Sequence, residues 1–256
     1  METPTISHID EALFLVQRCL YARNLNLYRH SLLTANIAYA VAADAGVDFD
    51  CTPAQAYIAG VLHDVGKIFI PDEILEKRLS LNAREWEVMK RHPAWGRDFV
   101  RGTQFESYGE IIENHHECQE NNYPVGLAHE QVGSATRLIA LADRVAAYLD
   151  DRPYRRRITH FGLVCREVKN SVKGLFPAEL SSSIEPTLRK FAVDWINKSS
   201  REFETALLPV SQVETGNVFR HVPCVSPESG PDGCGVGRCQ KQLSSAVTKG
   251  AGSGCS

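Results

Sequence analysis

A histidine and an aspartate stand side by side, His63-Asp64, in a segment whose neighbours Leu62, Val65 and Ile68 all ask for burial. Burying a carboxylate is costly unless something pairs with it. A metal ion is one such partner, because imidazole nitrogen and carboxylate oxygen are the usual ligands of hydrolytic metal sites. On this stretch alone a capped helix end with a surface Asp is an equal alternative. The balance is tipped by His and Asp residues elsewhere in the chain.

Apolar spacing is helical nearly throughout. Ile9, Leu13, Val16 and Leu20 predict a short amphipathic helix over 8–22. A longer helix is predicted from Tyr28 to Ala45, ended by Gly46, with Leu33, Ile37, Ala40 and Val41 as its buried stripe. His30 lies three residues before Leu33 and shares that face. Thr52-Pro53-Ala54-Gln55 combines an N-cap, a first-turn proline and a capping-box glutamine. The helix it opens buries Ile58, Leu62 and Val65, and Gly66 reads as its stop, which places His63-Asp64 near a helix end.

Asn82 and Glu85 open a further helix in which Trp86 and Met89 are expected to bury. His92-Pro93 follows, and the helical pattern resumes to about Arg101. Over 104–116, Tyr108, Ile111, Ile112 and His115 share a face, with His116 and Glu117 next. Residues 119–126 are turn-rich. From Gln131 to about Asp151 a strong helix turns Ile139, Ala142, Ala146 and Leu149 inward, with Asp143 inside the stripe. That carboxylate needs a partner, and Arg144 points roughly 100° away. Phe161–Leu175 and Ile184–Ile196 read as two more helices. No strand pattern or repeat is read, so the fold class is all-α.

A net charge of −3 gives no reason to expect polymeric nucleic acid as a partner. No apolar run approaches the ~20 residues that span a membrane, and the acidic N-terminus with Glu2, Asp10 and Glu11 is unlike a signal peptide. The expectation is a cytoplasmic protein. Cys19, Cys51, Cys118 and Cys165 are scattered and read as buried or idle thiols. From Pro209 onward the chain is rich in Gly and Pro with Phe219 as its single aromatic, too little to build a core. His221, Cys224, Cys234 and Cys239 lack a tight Cys-x-x-Cys spacing, which favours a flexible tail over a metal site. The expected organisation is a lead-in over 1–26, a domain over 27–205 and a tail over 206–256.

Gathered in order, the ligand candidates are His30, His63, Asp64, His92, His115, His116 and Asp143, and they include five of the nine histidines. This order resembles the HD superfamily of metal-dependent phosphohydrolases, more narrowly its HD-GYP subgroup. The likeness extends to His63-Asp64-Val65-Gly66-Lys67-Ile68, Ile70 to Leu75, Met89 to Pro93, His115-His116-Glu117, Tyr123 to Leu127, Ala142 to Val145 and Arg152 to Arg155.

The resemblance implies an HD-type helical bundle with a metal site at its centre, holding two divalent ions, iron or manganese. His30, His63, Asp64 and Asp143 would hold one ion, with Asp64 bridging to a second held by His92, His115 and His116. Two cations ~3.5–4 Å apart supply hydroxide at neutral pH and clamp a phosphoryl oxygen. Lys67 would neutralise charge that builds on the phosphate, and Tyr123 and Arg152 would contact substrate. The implied reaction is attack of a metal-bound hydroxide on phosphorus in cyclic di-GMP. Where some members carry a carboxylate for a third metal this chain has Asn26, so two metals are expected.

Members usually read His-His-Glu, two residues, Asp-Gly, one residue, Gly-Tyr-Pro. Here Cys118-Gln119-Glu120-Asn121-Asn122 leads to Tyr123-Pro124: one residue shorter, without either glycine, and with Asn122 in place of the named one. The substrate loop is therefore expected in altered form. That keeps open an HD phosphohydrolase for another nucleotide or phosphate ester, a catalytically silent nucleotide-binding or interaction module, and a di-iron oxygenase. No receiver, sensor or cyclase pattern is read ahead of the module, so a signalling protein docking through the 118–127 loop is the expected kind of partner.

Overall fold

The periodic stripes become α-helices packed on one another, with no strand among the described residues. The computed structural model describes residues 6–117, 123–150 and 161–197. Helix α1 spans Ile6–Arg23 and α2 Leu25–Asp44. Helix α2 starts three residues before the predicted Tyr28 because the Asn24 side chain accepts from the Leu27 amide and caps the first turn. At its other end Gly46 follows with φ 64°. Helix α3, Pro53–Leu62, opens on the capping box read from Thr52 and Gln55, with both reciprocal bonds formed.

Beyond α3 the chain departs from expectation. The helix ends at Leu62, and a 3-10 turn, Val65–Phe69, takes over. Gly66 is therefore not a helix stop. A Cβ at Gly66 would lie 2.0 Å from the His92 carbonyl oxygen and 2.5 Å from the Gly96 amide nitrogen, so the missing side chain lets two backbones meet.

Short helices α4 (Asp72–Leu75), α5 (Ala83–Met89), α6 (His92–Val100) and α7 (Gly109–Asn114) follow. The Asn82–Glu85 capping box forms as read. Trp86, expected to bury, is 43% exposed, and no residue of α5 is buried. Its capping box and the Lys77–Glu85 ion pair hold α5 at the surface without a core face.

Helix α8 spans Ser134–Leu149, preceded by a 3-10 turn at His129–Gln131. Helix α9, Phe161–Leu175, has the predicted bounds. Helix α10 runs Ala178–Asn197, six residues longer at its start than predicted, and carries Pro186 inside it. Helix α2 lies centrally, packed on α3 and α8. The α2–α3 approach is close enough that a Cβ at Gly60 would lie 2.5 Å from Ala35 Cα. Leu33, Ile37 and Val41 share one core with Tyr57, Val61 and Leu62 of α3 and Leu138, Leu141 and Val145 of α8, all fully or nearly fully buried. Each such aliphatic side chain contributes about 1.5–3 kcal/mol to stability. This core fixes the ends of α3 and the face of α8 from which the site is built.

Arg152, the 118–122 segment and the tail from 206 lie outside the described residues. Among the described residues no helix is long and apolar enough to cross a membrane.

Candidate metal centre

Each inward histidine except His30 follows a helix end, and that local fact sets its chemistry. The last carbonyls of a helix have no intrahelical donor. His63 Nδ1 lies 2.7 Å from the Gly60 carbonyl at the end of α3, and His92 Nδ1 lies 2.8 Å from Met89 at the end of α5. His115 Nδ1 lies 2.7 Å from Ile112 in the last turn of α7. A carbonyl only accepts, so in all three rings Nδ1 carries a proton and Nε2 faces inward. A carbonyl held on Nδ1 in this way fixes the ring and aims Nε2 at the position a metal would take.

The Nε2 atoms converge on Asp64, which is 1% exposed. Asp64 Oδ2 lies 3.3 Å from His63 Nε2 and 3.8 Å from His30 Nε2. Its other oxygen, Oδ1, lies 3.2 Å from His92 Nε2 and 3.8 Å from His115 Nε2. His116 completes the second group, its Nε2 3.2 Å from that of His92. Asp143 joins the first, with Oδ1 2.9 Å from His30 Nε2 and 3.9 Å from His63 Nε2. One atom from each of His30, His63 and Asp64 falls within a sphere of metal-ligand size, and so does one from each of Asp64, His92, His115 and His116. Every ligand candidate from the sequence is thus brought to one place. Arg152 lies outside the described residues.

These atoms fit divalent cations. The Nε2 atoms of His92 and His115 are 3.4 Å apart with both protons committed to carbonyls, so two lone pairs face each other. Buried His63 Nε2 and Asp64 Oδ1 make no hydrogen bond to any described residue. Such groups are expensive to bury unless a cation takes them. Burial holds His92 below its ordinary pKa and His115 well below it, and pushes His116 down to about 3. Burial also pulls on His63, but the Asp64 and Asp143 carboxylates outweigh it and raise that ring. Asp64 stays ionised against its burial because His63 and Lys67 face it, and Asp143 because it is bonded to His30. Two carboxylates and one ammonium among mostly neutral imidazoles leave surplus negative charge and open lone pairs, the form metals bind.

Lys67 Nζ donates to Asp64 Oδ2 at 2.6 Å from the 3-10 turn after α3, and its side chain is 19% exposed. Tyr123 stacks on His116, ring centroids 4.7 Å apart at 25°. Burial, then Asp64 and Asp143, raise its phenol, which stays protonated and able to donate.

Glu117, which closes the His115-His116-Glu117 motif, has a role that the sequence alone does not assign. It is buried, and its two oxygens accept from three successive amides: Val125 at 2.6 Å, Gly126 at 2.9 Å and Leu127 at 2.7 Å. Residues 125–127 are therefore anchored beside His116 by a carboxylate. An acidic residue directly after two buried histidines was the signal available for it.

The family model for the HD domain matches residues 27–148. Residues 27–148 are an HD domain. The chain is also similar, over part of its length, to curated proteins. It is 42% identical over 106 residues to "Cyclic di-GMP phosphodiesterase response regulator RpfG" of Xanthomonas campestris, covering 40% of this chain and 28% of that protein. It is 33% identical over 132 residues to "Cyclic di-GMP phosphodiesterase PA4108" of Pseudomonas aeruginosa, covering 50% and 32%. To "3'3'-cGAMP-specific phosphodiesterase 1" of Vibrio cholerae it is 30% identical over 152 residues, covering 59% and 35%. The HD domain thus spans about a third of the length of the curated relatives it matches. Among solved structures, the HD domain of the Listeria monocytogenes phosphodiesterase PgpH shares the fold, with a TM-score of 0.55 at 16% identity over 70% of this chain and 97% of that one. The same domain in complex with cyclic-di-AMP gives a TM-score of 0.53 at 15% identity over 72% and 98%.

Proposed function

We propose that this HD domain is a metal-dependent phosphodiesterase that opens a cyclic dinucleotide, cyclic di-GMP foremost. The observation that carries the reading is Asp64: its two oxygens divide between two histidine groups, with the Lys67 ammonium alongside. The substrate class rests on the names of the relatives, which include phosphodiesterases for cyclic di-GMP and for 3'3'-cGAMP. A guanine-containing cyclic dinucleotide is common to both.

His30, His63, Asp64 and Asp143 would hold one divalent ion, and Asp64, His92, His115 and His116 a second; a mixed His and carboxylate set accepts iron or manganese. When bound, such ions supply Lewis acidity and lower the pKa of water. Water adds across one phosphodiester: its oxygen bonds to phosphorus, one ester P–O bond breaks, and the departing sugar oxygen takes a proton. Lys67, partly exposed beside Asp64 Oδ2, offers positive charge where the phosphoryl oxygens would gain charge in the transition state. Tyr123, held on His116 and protonated, can donate to a nucleotide oxygen, and Arg152 is assigned to the same task.

Protein purified without oxygen should carry two ions per chain and hydrolyse cyclic di-GMP with iron or manganese. Cyclic di-GMP, 3'3'-cGAMP, cyclic di-AMP and a generic phosphodiester should be assayed side by side. Turnover of the generic diester alone would reassign the domain to another phosphate ester. Two ions without turnover of any diester would leave a nucleotide-sensing module.

Two variants separate roles within the site. Lys67→Ala should keep full metal content while kcat falls roughly 10²–10³-fold, because it removes charge stabilisation and no ligand. Glu117→Gln exchanges an accepting oxygen for an NH2 group and strands at least one of three loop amides, costing about 1–3 kcal/mol. Its expected result is unchanged metal content, weaker nucleotide binding by calorimetry and faster amide exchange over 125–127.

A further inference from the structure

The segment carrying Lys67 is gripped from two sides, and one grip comes from outside the part of the chain that matches the HD family. On one side Gly66 lies against the His92–Gly96 backbone. On the other, Arg23 reaches over from the last turn of α1. Its Nε donates to the Ile68 carbonyl at 3.1 Å and its Nη2 to the Ile70 carbonyl at 2.5 Å. Its remaining nitrogen, Nη1, pairs with Asp72. Asn24, the next residue, donates from Nδ2 to Glu76 Oε1 at 3.1 Å, so the α1–α2 corner is tied to the chain on both sides of α4.

We propose that Arg23 is a positioning residue for the phosphodiesterase reaction, setting the place of Lys67 by fixing the two carbonyls that follow it. The inference rests on the phosphodiesterase reading and assigns α1 to the catalytic unit rather than to a lead-in. The physical reason is the guanidinium's shape. The 3-10 turn closes with the Ile70 amide on the Lys67 carbonyl at 3.1 Å, after which Ile70 is extended and buried. Ile68 and Ile70 therefore present carbonyls two residues apart that no regular element satisfies. A rigid planar fork can bond both at once, while a lysine ammonium is a point donor on a flexible stem. Lys67 lies immediately before the first of these carbonyls, and its Nζ must sit within hydrogen-bond reach of Asp64 Oδ2. Charge stabilisation in a transition state is sensitive to misplacement of about 1 Å.

The test uses the full chain loaded with manganese, with Arg23→Ala, Arg23→Lys, Lys67→Ala and the double variant Arg23→Ala/Lys67→Ala. Amide exchange by mass spectrometry over 65–70 reports the clamp whether or not the protein turns over. Arg23→Ala should accelerate exchange there roughly tenfold, leave exchange around His115 unchanged and keep metal content. Cleavage of cyclic di-GMP should fall in kcat roughly 10–100-fold with KM nearly unchanged. Arg23→Lys should recover only part of the loss. In the Lys67→Ala background Arg23→Ala should cost little more, because residues acting as one unit are non-additive. Unchanged exchange over 65–70 would overturn the clamp. An equal fold-loss in both backgrounds would show that Arg23 does not act through Lys67. A wild-type chain that cleaves no diester defeats the phosphodiesterase reading instead, and the exchange data still decide whether Arg23 holds the segment.

Discussion

Asp64→Ala is expected to remove both metal ions, not one. Each of its oxygens faces a different histidine group, Oδ2 toward His63 and His30 and Oδ1 toward His92 and His115, so one substitution takes a ligand from both positions. It also deletes one of the two carboxylates that give the site its surplus negative charge, leaving Lys67 opposite neutral imidazoles. Metal content after anaerobic purification should drop from two ions per chain to well under one, and hydrolysis should fall by roughly 10³-fold or more. His63→Ala is the control: it touches one group and should spare the ion held by His92, His115 and His116. Full metal content in Asp64→Ala would mean the carboxylate does not bridge.

Gly66→Ala is the second large effect, and it is structural in origin. The added methyl would sit 2.0 Å from the His92 carbonyl oxygen and 2.5 Å from the Gly96 amide nitrogen. Both are backbone atoms and cannot rotate aside, so α6 or the 3-10 turn must move. Overpacking of this kind costs about 1–3 kcal/mol and sometimes more, and the upper end is expected here. Displacement of α6 carries His92 with it, so metal affinity should fall alongside the urea midpoint. Gly133→Ala is the comparison, because a Cβ there has nothing within 4 Å. If Gly66→Ala unfolds at the wild-type urea concentration, the close approach is not a constraint.

These two residues also mark how far sequence reasoning reaches. Asp64 was legible, because a carboxylate amid Leu62, Val65 and Ile68 has to be compensated, and five histidines at inward positions offered the means. Gly66 reads from sequence as a helix stop for an equally local reason: glycine after an apolar stripe is a common ending. The actual cause lies 26 residues further along, in the backbone of His92. Trp86 failed in the same way. Its spacing was helical and its side chain large, yet no residue of α5 is buried among the described residues.

By itself the sequence determined the helices, several of their caps and the identity of the ligand candidates, because caps and 3.6-residue stripes are properties of neighbouring residues. The resemblance to HD-GYP proteins then grouped those ligands. Only the tertiary structure decided which oxygen of Asp64 faces which histidines and that Glu117 holds the amides of residues 125–127. It also placed Arg23 beside Lys67's segment. A stripe says which face of a helix turns inward. How far one helix slides along another, and which backbones touch when it stops, depends on contacts between residues distant in the chain.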